Sequence, residues 1–345
     1  MQRVRIGLIG AGRIGAVHAQ SIIQHVEAAE LAAVADVNLE AAEALGRRYG
    51  VPLVSADYRQ LLDEPGIDAV AICSATATHS PIIQDAAAAG KHIFCEKPLD
   101  LDLARIDAAL AAVAAGGVKL QVGFNRRFDA SFGRLRQLVA AGELGRPHLL
   151  RITSRDPAPP PLEYVTTSGG LFLDMTIHDF DMARFLMGSE VERVYAVGRV
   201  LVDPAIGAAG DIDTAAISLE FSDGGLGLID NSRQAVYGYD QRAEVFGSEG
   251  MAAAENLTPD AVTRADGRGV HSAKPLYFFL ERYLPAYVAE MRAFVGALAE
   301  DRPPPVGGRD GRQAVALALA AGRSLREGRP VRVAEVEEPA SSASP

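Results

Sequence analysis

The stretch VRIGLIGAGRIG, residues 4–15, decides the fold of this chain. An apolar strand pattern is followed at once by a Gly-x-Gly-x-x-Gly turn, which ends at Gly15 and opens a helical pattern. A glycine-rich turn in this context brings backbone N–H groups and the positive end of a helix dipole against a pyrophosphate. The residues that we predict to contact such a group are Gly10, Gly12, Arg13 and Ile14. The stretch thus predicts a dinucleotide-binding strand–turn–helix unit.

Asp36 stands at the end of the second predicted strand, Leu31–Ala35. A carboxylate at this place can accept hydrogen bonds from the ribose hydroxyls of an adenosine. It would repel a 2′-phosphate, and it is followed by Val37 where an arginine could have bound that phosphate. The sequence therefore predicts NAD rather than NADP as cofactor, the alternative being a solvated aspartate at a strand end.

The alternating pattern of the N-terminal part continues to about Val122, with short Val/Ile/Ala-rich strands between Ala-rich helical stretches. Such alternation predicts an α/β fold in which helices wrap a parallel sheet, here a doubly wound Rossmann domain over residues 1–123. Its predicted strands are Val4–Ile9, Leu31–Ala35, Ala69–Cys73, His92–Cys95 and Leu120–Val122.

After Gly145-Arg146-Pro147 the sequence pattern changes to longer predicted strands, in which apolar and polar residues alternate. They indicate an antiparallel sheet in a second domain, over residues 124–335. Strands are predicted over Val194–Val202, Thr214–Phe221 and Leu226–Ile229, and helices over Leu171–Leu186, Tyr287–Ala299 and Asp310–Leu325. Gly188 ends the first of these helices, and residues 336–345 are predicted to form a disordered tail.

Composition limits the classes of protein that fit. With 345 residues the chain is long enough for two cores, and 48% hydrophobic with 23% charged residues is typical of a globular protein. A net charge of -10 opposes binding to nucleic acid, and no apolar run reaches the roughly 18 residues of a membrane span. No secretory signal pattern is present, and Cys73 and Cys95 have no partner at metal or redox spacing. We expect a cytoplasmic protein.

Ser74, Thr76 and His79 follow the strand that ends at Cys73. They lie at the carboxyl end of the parallel strands, which is the edge where open α/β sheets bind their ligands. We predict that they line the dinucleotide. The alternative is that this segment only caps the helix that Pro81 helps to start.

Glu96-Lys97-Pro98 follows the next strand, at the same edge of the sheet. A lysine can take the hydroxyl proton of an alcohol if burial lowers its pKa, whereas arginine, which this chain otherwise favours, cannot. We predict Glu96 and Lys97 beside the cofactor and Lys97 as a catalytic residue. Taken alone, a lysine at this place would more often be an ordinary surface residue.

Asp174, His178 and Asp181 recur at helical spacing after Gly169-Gly170, so they are predicted to share one helix face. A carboxylate one turn from an imidazole can orient the ring and raise its basicity. The alternative is a helix-capping carboxylate beside a satisfied core histidine. No other His or Cys falls at ligand spacing on this helix, so no metal site is predicted.

Three motifs resemble, in order along the chain, the signatures of the glucose-fructose oxidoreductase and inositol dehydrogenase family. They are Glu96-Lys97-Pro98, the segment GFNRRF at 123–128, and Gly169-Gly170 with the segment DMTIHD at 174–179. Residues 154–161, 171–184 and 235–242 resemble the inositol 2-dehydrogenase branch of that family. The resemblance covers essentially the whole chain. It implies a Rossmann domain joined to an α+β domain with an open antiparallel sheet, and a homotetramer packed through those sheets.

The resemblance also implies roles for individual residues. Lys97, Asp174 and His178 would form the catalytic group, and the substrate contacts would be Arg127, Asp156, Asp174, His178 and Tyr237. The implied reaction is the NAD-dependent oxidation of a ring hydroxyl of a cyclic polyol, with inositol the best single substrate. Whether Lys97 or His178 is the immediate base stays open, as does the inositol stereoisomer.

Other functions share these features. A dehydrogenase of an aldose sugar would use the same groups, and an NAD-dependent glycosidase would use them without net release of NADH. A non-catalytic NAD-binding sensor would need only the glycine turn, and the presence of lysine, aspartate and histidine together argues against it. The expected partner is a small polyol or sugar.

Overall fold

The computed structural model describes residues 3–337 of the chain. Two compact units divide it: the first comprises the chain up to Phe128 together with Pro285–Val315, and the second comprises Asp129–Leu284 together with the chain from Ala316. Of the predicted tail, residues 336 and 337 belong to a helix, and residues 338–345 lie outside the described part. Within residues 3–337, no helix has the length and apolar character needed to cross a membrane.

The first unit is built on a parallel sheet. Its strands are β1 (Val4–Ile9), β2 (Ala29–Ala35), β3 (Leu53–Ser55), β4 (Ala69–Ile72), β5 (His92–Glu96) and β6 (Leu120–Gly123). Its helices are α1 (Arg13–His25), α2 (Leu39–Tyr49), α3 (Arg59–Asp63), α4 (His79–Ala88) and α5 (Leu103–Gly116). The strands pair in parallel in the order β3-β2-β1-β4-β5-β6. This is the strand order of the doubly wound dinucleotide-binding fold, so the predicted fold class is confirmed.

A late segment of the chain, Pro285–Val315, also belongs to the first unit. Met291, Phe294 and Val295 are buried in the same hydrophobic core as Phe94 of β5. The sequence prediction had instead assigned this segment to the second domain. Helical periodicity reveals that a segment has an apolar face, but it does not reveal which sheet that face covers.

The second unit is built on a sheet of seven strands. Strands and helices of the later chain are α6 (Ala130–Ala140), β7 (Pro147–Arg155), α7 (Leu162–Thr167), α8 (Ile177–Met187), β8 (Val191–Arg199), α9 (Pro204–Ala208), β9 (Thr214–Phe221), β10 (Leu226–Ser232), β11 (Asp240–Gly247), β12 (Gly250–Ala254), β13 (Thr263–Asp266), β14 (Gly269–Ser272), α10 (Phe279–Ala299), α11 (Gly308–Glu327), β15 (Val331–Arg332) and α12 (Ala334–Glu337). The sheet has the order β12-β11-β7-β10-β9-β8-β15, and β13 and β14 form a separate hairpin. Residues of α10 and α11 are divided between the two units.

The sheet of the second unit is mixed. β7 and β10 pair in parallel, and the other neighbouring strands pair antiparallel, as predicted. The charged residues Arg151 and Arg155 lie within β7. Buried and exposed side chains alternate along β9, where Ala215, Ile217 and Leu219 point into the core. One face of the sheet is therefore packed and the other is open.

Candidate active site

The glycine turn between β1 and α1 has the shape that a phosphate cradle requires. Gly10 has a φ of 102°, and a Cβ on it would lie 2.6 Å from the Cys73 carbonyl group. A Cβ on Gly15 would lie 1.9 Å from the Gly10 oxygen, so only glycine lets α1 pack so closely. A Cβ on Gly12 would instead meet nothing within 4 Å, and no side chain caps the start of α1. The first N–H groups of this helix can therefore bind an anion, and Arg13 and Ile14 are the residues at its start.

Asp36 is held against this turn. Its Oδ2 accepts a hydrogen bond of 2.6 Å from the Ala11 N–H, and its Oδ1 accepts one of 2.8 Å from the Asn38 N–H. These two bonds fix the carboxylate at the end of β2, which is where a ribose would lie beside the turn. The turn and the carboxylate together fit the phosphate and adenosine ribose of NAD.

The segment after β4 forms a short 3₁₀ turn, Thr76–Thr78, before α4 begins. The Ser74 and Thr78 hydroxyl oxygens lie 2.7 Å apart, so this pair holds the turn together. His79 is buried, with its ring nitrogens 2.7 Å from the Pro98 carbonyl oxygen and 3.0 Å from the Ser74 carbonyl oxygen. Burial lowers the pKa of its imidazole. His79 thus joins two loops at the sheet edge, and cofactor contacts by Ser74, Thr76 and His79 stay predictions.

Lys97 directly follows the end of β5 and is half-buried. The residue before it, Glu96, has its Oε1 2.7 Å from Nε2 of His18 on α1. The strand end that carries Lys97 is therefore fixed by a side-chain contact to the helix that follows the glycine turn. Sequence reasoning had placed Glu96 and Lys97 at this edge but had not used His18.

Arg127 lies in a short 3₁₀ turn, Asn125–Phe128, after β6. Its Nη2 lies 3.0 Å from Oδ1 of Asp310, and its side chain is only 10% exposed. The ion pair fixes the guanidinium in place. Contact between Arg127 and a substrate stays a prediction.

In the second unit, the predicted helix with the Asp174/His178 pattern has two parts. Phe172–Thr176 forms a π-helical turn, and α8 begins only at Ile177 and ends at Met187, directly before Gly188, which has a φ of 68°. The prediction had assumed a single α-helix in which Asp174, His178 and Asp181 share one face. The π-turn shows that the assumption of one regular α-helix was wrong, whereas the shared face stays a prediction. Asp181 is buried.

The carboxylate of Asp174 is held at both oxygens. Its Oδ1 accepts a 2.8 Å hydrogen bond from the Tyr164 hydroxyl, and its Oδ2 lies 3.3 Å from Nη1 of Arg233. Arg233 is 1% exposed, and its Nη2 lies 3.6 Å from Oδ2 of Asp211. Partial burial and the neighbouring Asp174 carboxylate raise the pKa of the Tyr164 hydroxyl. Sequence reasoning missed Tyr164 and Arg233, since neither lies in a motif.

Tyr237 belongs to another polar network of the second unit. Its hydroxyl donates a 2.6 Å hydrogen bond to Oδ2 of Asp240 and accepts one of 3.0 Å from Nη1 of Arg155. Asp156 directly follows β7, where its backbone N–H donates to the Ser232 carbonyl oxygen at 2.9 Å. Substrate contacts by Asp156 and Tyr237 stay predictions.

The sheet order, the glycine turn and the fixed Asp36 define a class of protein, the oxidoreductases that bind NAD in a Rossmann domain. Residues 4–124 match the family model of the oxidoreductase family with an NAD-binding Rossmann fold, and residues 132–253 match that of the GFO/IDH/MocA C-terminal domain. The chain belongs to this GFO/IDH/MocA oxidoreductase family, and NAD is its cofactor. The family predicted from the sequence motifs is thereby confirmed.

Known proteins similar to the chain cover nearly all of it. It is 50% identical to a myo-inositol 2-dehydrogenase of Thermotoga maritima over 96% of this chain and 99% of that protein. It is 48% identical to an inositol 2-dehydrogenase of Rhizobium meliloti, again over 96% and 99%. The crystal structure of scyllo-inositol dehydrogenase from Lactobacillus casei with bound NAD(H) and scyllo-inositol has a TM-score of 0.91, at 33% identity over 96% of this chain and 100% of that one.

Proposed function

We propose that the chain oxidises a ring hydroxyl of inositol, at the 2-position, with NAD as the acceptor, and releases keto-inositol and NADH. The observation that carries the proposal is the fixed carboxylate of Asp174, four residues before His178, in a chain that also holds the NAD turn and Lys97. Similarity to inositol dehydrogenases over nearly the whole chain supports inositol as the substrate. As an NAD-dependent dehydrogenase, the chain acts on a CH–OH group.

The proposed chemistry assigns a separate task to each residue. His178 accepts the hydroxyl proton at a ring nitrogen, and Asp174 orients the imidazole and stabilises its charged form. Tyr164 and Arg233 keep the Asp174 carboxylate in one orientation. Lys97 donates a hydrogen bond to the reacting oxygen, and Arg127, Asp156 and Tyr237 bind further hydroxyls. NAD, when bound, accepts the hydride that leaves the ring carbon.

A substrate panel tests this proposal. The purified chain is assayed for NADH formation with myo-, scyllo- and chiro-inositol, with glucose, and with an aryl glycoside whose cleavage is followed separately. We expect NADH formation with at least one inositol at a higher kcat/KM than with glucose. Preference for glucose would favour the aldose dehydrogenase, glycoside cleavage without net NADH would favour the glycosidase, and binding of NAD without any turnover would favour the sensor.

We propose that the chain forms a homotetramer through the open face of the second unit's sheet. Large apolar side chains lie exposed along its strands, namely Tyr195, Val197, Leu226, Leu228, Phe246 and Met251. Contiguous exposed apolar surface of this kind is typical of an interface. Light scattering after gel filtration should give a tetramer for the wild type and a smaller species for the double variant Leu228→Glu, Phe246→Glu. Val270→Glu, on the exposed β13–β14 hairpin, is the matched control, and a monomeric wild type would contradict the proposal.

We infer that the chain works in the cytoplasm. The cysteines Cys73 and Cys95 are free, and burial raises the pKa of both thiols. Free thiols and a requirement for NAD are typical of proteins in a reducing compartment. Fractionation of cells that express the tagged chain should recover it with cytoplasmic markers, and recovery with exported proteins would contradict the inference.

A further inference from the structure

Three titratable side chains meet inside the first unit, and the proposed reaction uses none of them. They are His18 on α1, Glu96 at the end of β5 and Glu290 on α10. Each offers an atom that lies within 4.8 Å of the corresponding atoms of the other two. His18 and Glu290 are completely buried. Burial of ionisable groups is costly, so a cluster of this kind needs a physical account.

The positions of these side chains are fixed by their neighbours. Nε2 of His18 lies 2.7 Å from Oε1 of Glu96, and the imidazole packs edge-on against Phe94 and Tyr287, with ring centroids 4.8 and 5.6 Å away. An N–H at Nε2 of the imidazole donates to the Glu96 carboxylate in this geometry. His18 therefore orients the carboxylate of the residue directly before Lys97.

Glu290 supplies the third group of the cluster. Neither of its carboxyl oxygens has a hydrogen-bond partner within residues 3–337. Burial and the nearby Glu96 carboxylate raise the pKa of Glu290 well above its usual range. Two neighbouring carboxyl groups in a buried cluster do not both ionise readily, so Glu290 is a neutral acid beside the Glu96 carboxylate.

We propose that His18 and Glu290 are positioning residues that hold the Glu96 carboxylate, and with it the strand end that carries Lys97. His18 contacts the carboxylate directly, and the neutral side chain of Glu290 lies beside it without adding a second charge. The inference rests on the proposed role of Lys97 in catalysis. Glu96 links the cluster to Lys97, because it is the last residue of β5 and directly precedes Lys97. It pairs with Gly123 of β6, where a Cβ would lie 3.0 Å from the Glu96 carboxyl group, so its carboxyl group packs closely against β6. Loss of either polar neighbour leaves the carboxylate free to turn.

One imidazole and two carboxylates could also serve as ligands for a divalent cation. In this chain, however, the His18 nitrogen and the Glu96 oxygen already contact each other at 2.7 Å. A shared proton accounts for that contact without a metal ion. The proposal therefore predicts that elemental analysis of the purified wild-type chain finds no stoichiometric divalent metal.

Substitutions at Glu290 separate a positioning role from a merely structural one. Glu290→Gln keeps the shape and a neutral polar group, whereas Glu290→Leu removes the polar atoms. We expect Glu290→Leu to lower kcat for inositol by about tenfold or more, with a KM for NAD within about threefold of wild type, because the glycine turn is untouched. Glu290→Gln should recover most of that loss. Equal losses in both variants would overturn the proposal, and Glu281→Gln, an exposed carboxylate on the same helix, is the matched control.

Thermal unfolding against pH provides a second readout, which needs neither substrate nor NAD. In the folded chain the pKa of Glu290 lies above its unfolded value of about 4.3, so its contribution to stability is present at low pH and is lost as the pH rises. Glu290→Gln cannot ionise and therefore does not lose this stability. Its Tm should rise relative to that of wild type as the pH is raised from about 5 to about 8, a range that lies above the unfolded pKa of about 4.3. The other titratable groups that face Glu290 are His18, Glu96 and Cys73, and burial keeps the Cys73 thiol neutral over this range.

The two readouts distinguish failure of this proposal from failure of the proposed function. A Tm difference between wild type and Glu290→Gln that does not change with pH, or a stoichiometric metal, would overturn the proposal even if the chain oxidises inositol. Inactivity of the wild type with every inositol, together with the expected pH-dependent Tm gain, would overturn the proposed function and the link to Lys97 but leave the protonated Glu290 intact. If Glu290→Leu does not fold, the pH dependence of the Tm of Glu290→Gln still tests the proposal.

Discussion

At the scale of single residues, Arg233 is the cation on which the Asp174 carboxylate depends. It is almost completely buried and lies between two carboxylates, those of Asp174 and Asp211. An arginine in such a place neutralises charges that would otherwise be buried without a partner. The proposed reaction therefore needs Arg233 although this residue touches no reacting atom.

We expect Arg233→Met to lower the free energy of unfolding by about 3 kcal/mol, because it removes the buried cation that lies beside two mostly buried carboxylates. Urea unfolding of the purified variant measures this loss. The control is Arg193→Met, which breaks an exposed cross-strand pair with Glu220 and should cost less than about 1 kcal/mol. Equal losses of unfolding free energy in the two variants would show that Arg233 does not compensate the buried charge of Asp174.

Lys97 and His178 are the residues whose removal should affect turnover most. Each of Lys97→Ala and His178→Ala should lower kcat with inositol by roughly 10²-fold or more, since each removes a group that moves or holds a proton. The dissociation constant for NAD, measured by calorimetry, should stay close to that of wild type. The exposed Lys274→Ala is the control, and wild-type turnover in either test variant would refute the assignment.

At the scale of elements, the strand–turn–helix unit of β1 and α1 has two different requirements for glycine. At Gly15 the requirement comes from packing, because a methyl group would collide with the Gly10 carbonyl oxygen. At Gly12 the space in front of the backbone is open, and its φ is -71°, which any residue adopts. Glycine at that position serves the approach of the cofactor rather than the fold.

A pair of alanine substitutions should separate these requirements. Gly12→Ala should keep the Tm of the free chain near wild type but weaken NAD binding by about tenfold or more, since roughly 1.4 kcal/mol of lost contact gives that factor. Gly15→Ala should lower the Tm itself, because the helix must move away from the strand. Thermal unfolding and calorimetric titration with NAD measure both effects. Unchanged NAD affinity in Gly12→Ala would contradict the phosphate-cradle role of the turn.

The elements also show what the sequence could and could not predict. The glycine turn, Asp36 and the segment at Lys97 were predictable, because each depends on a local pattern at a strand end. The partners of Asp174 were not predictable, since Tyr164 and Arg233 come from other parts of the chain and share no motif with it. The π-turn at Phe172–Thr176 was also hidden, because periodicity assumes the α-helical angle throughout.

At the scale of the whole molecule, the chain changes unit at three points along its length. It leaves the first unit after Phe128, returns at Pro285 and leaves again after Val315. The sequence predicted one boundary near residue 123, because the alternating pattern of strands and helices ends there. It missed the return, because Tyr287–Ala299 looks like any amphipathic helix. Glu290 lies on that returning segment, so the buried cluster with His18 and Glu96 could not be foreseen either.

The central claim, that this chain transfers a hydride from the 2-position of inositol to NAD, can be measured directly. The purified wild-type chain is incubated with NAD and with either myo-inositol carrying deuterium on C2 or scyllo-inositol carrying deuterium on all six ring carbons, and the products are analysed by mass spectrometry. We predict NADH that carries one deuterium, formed in equal amount with a keto-inositol that has one deuterium fewer than its substrate. NADH without deuterium, or no NADH with either inositol, would contradict the claim.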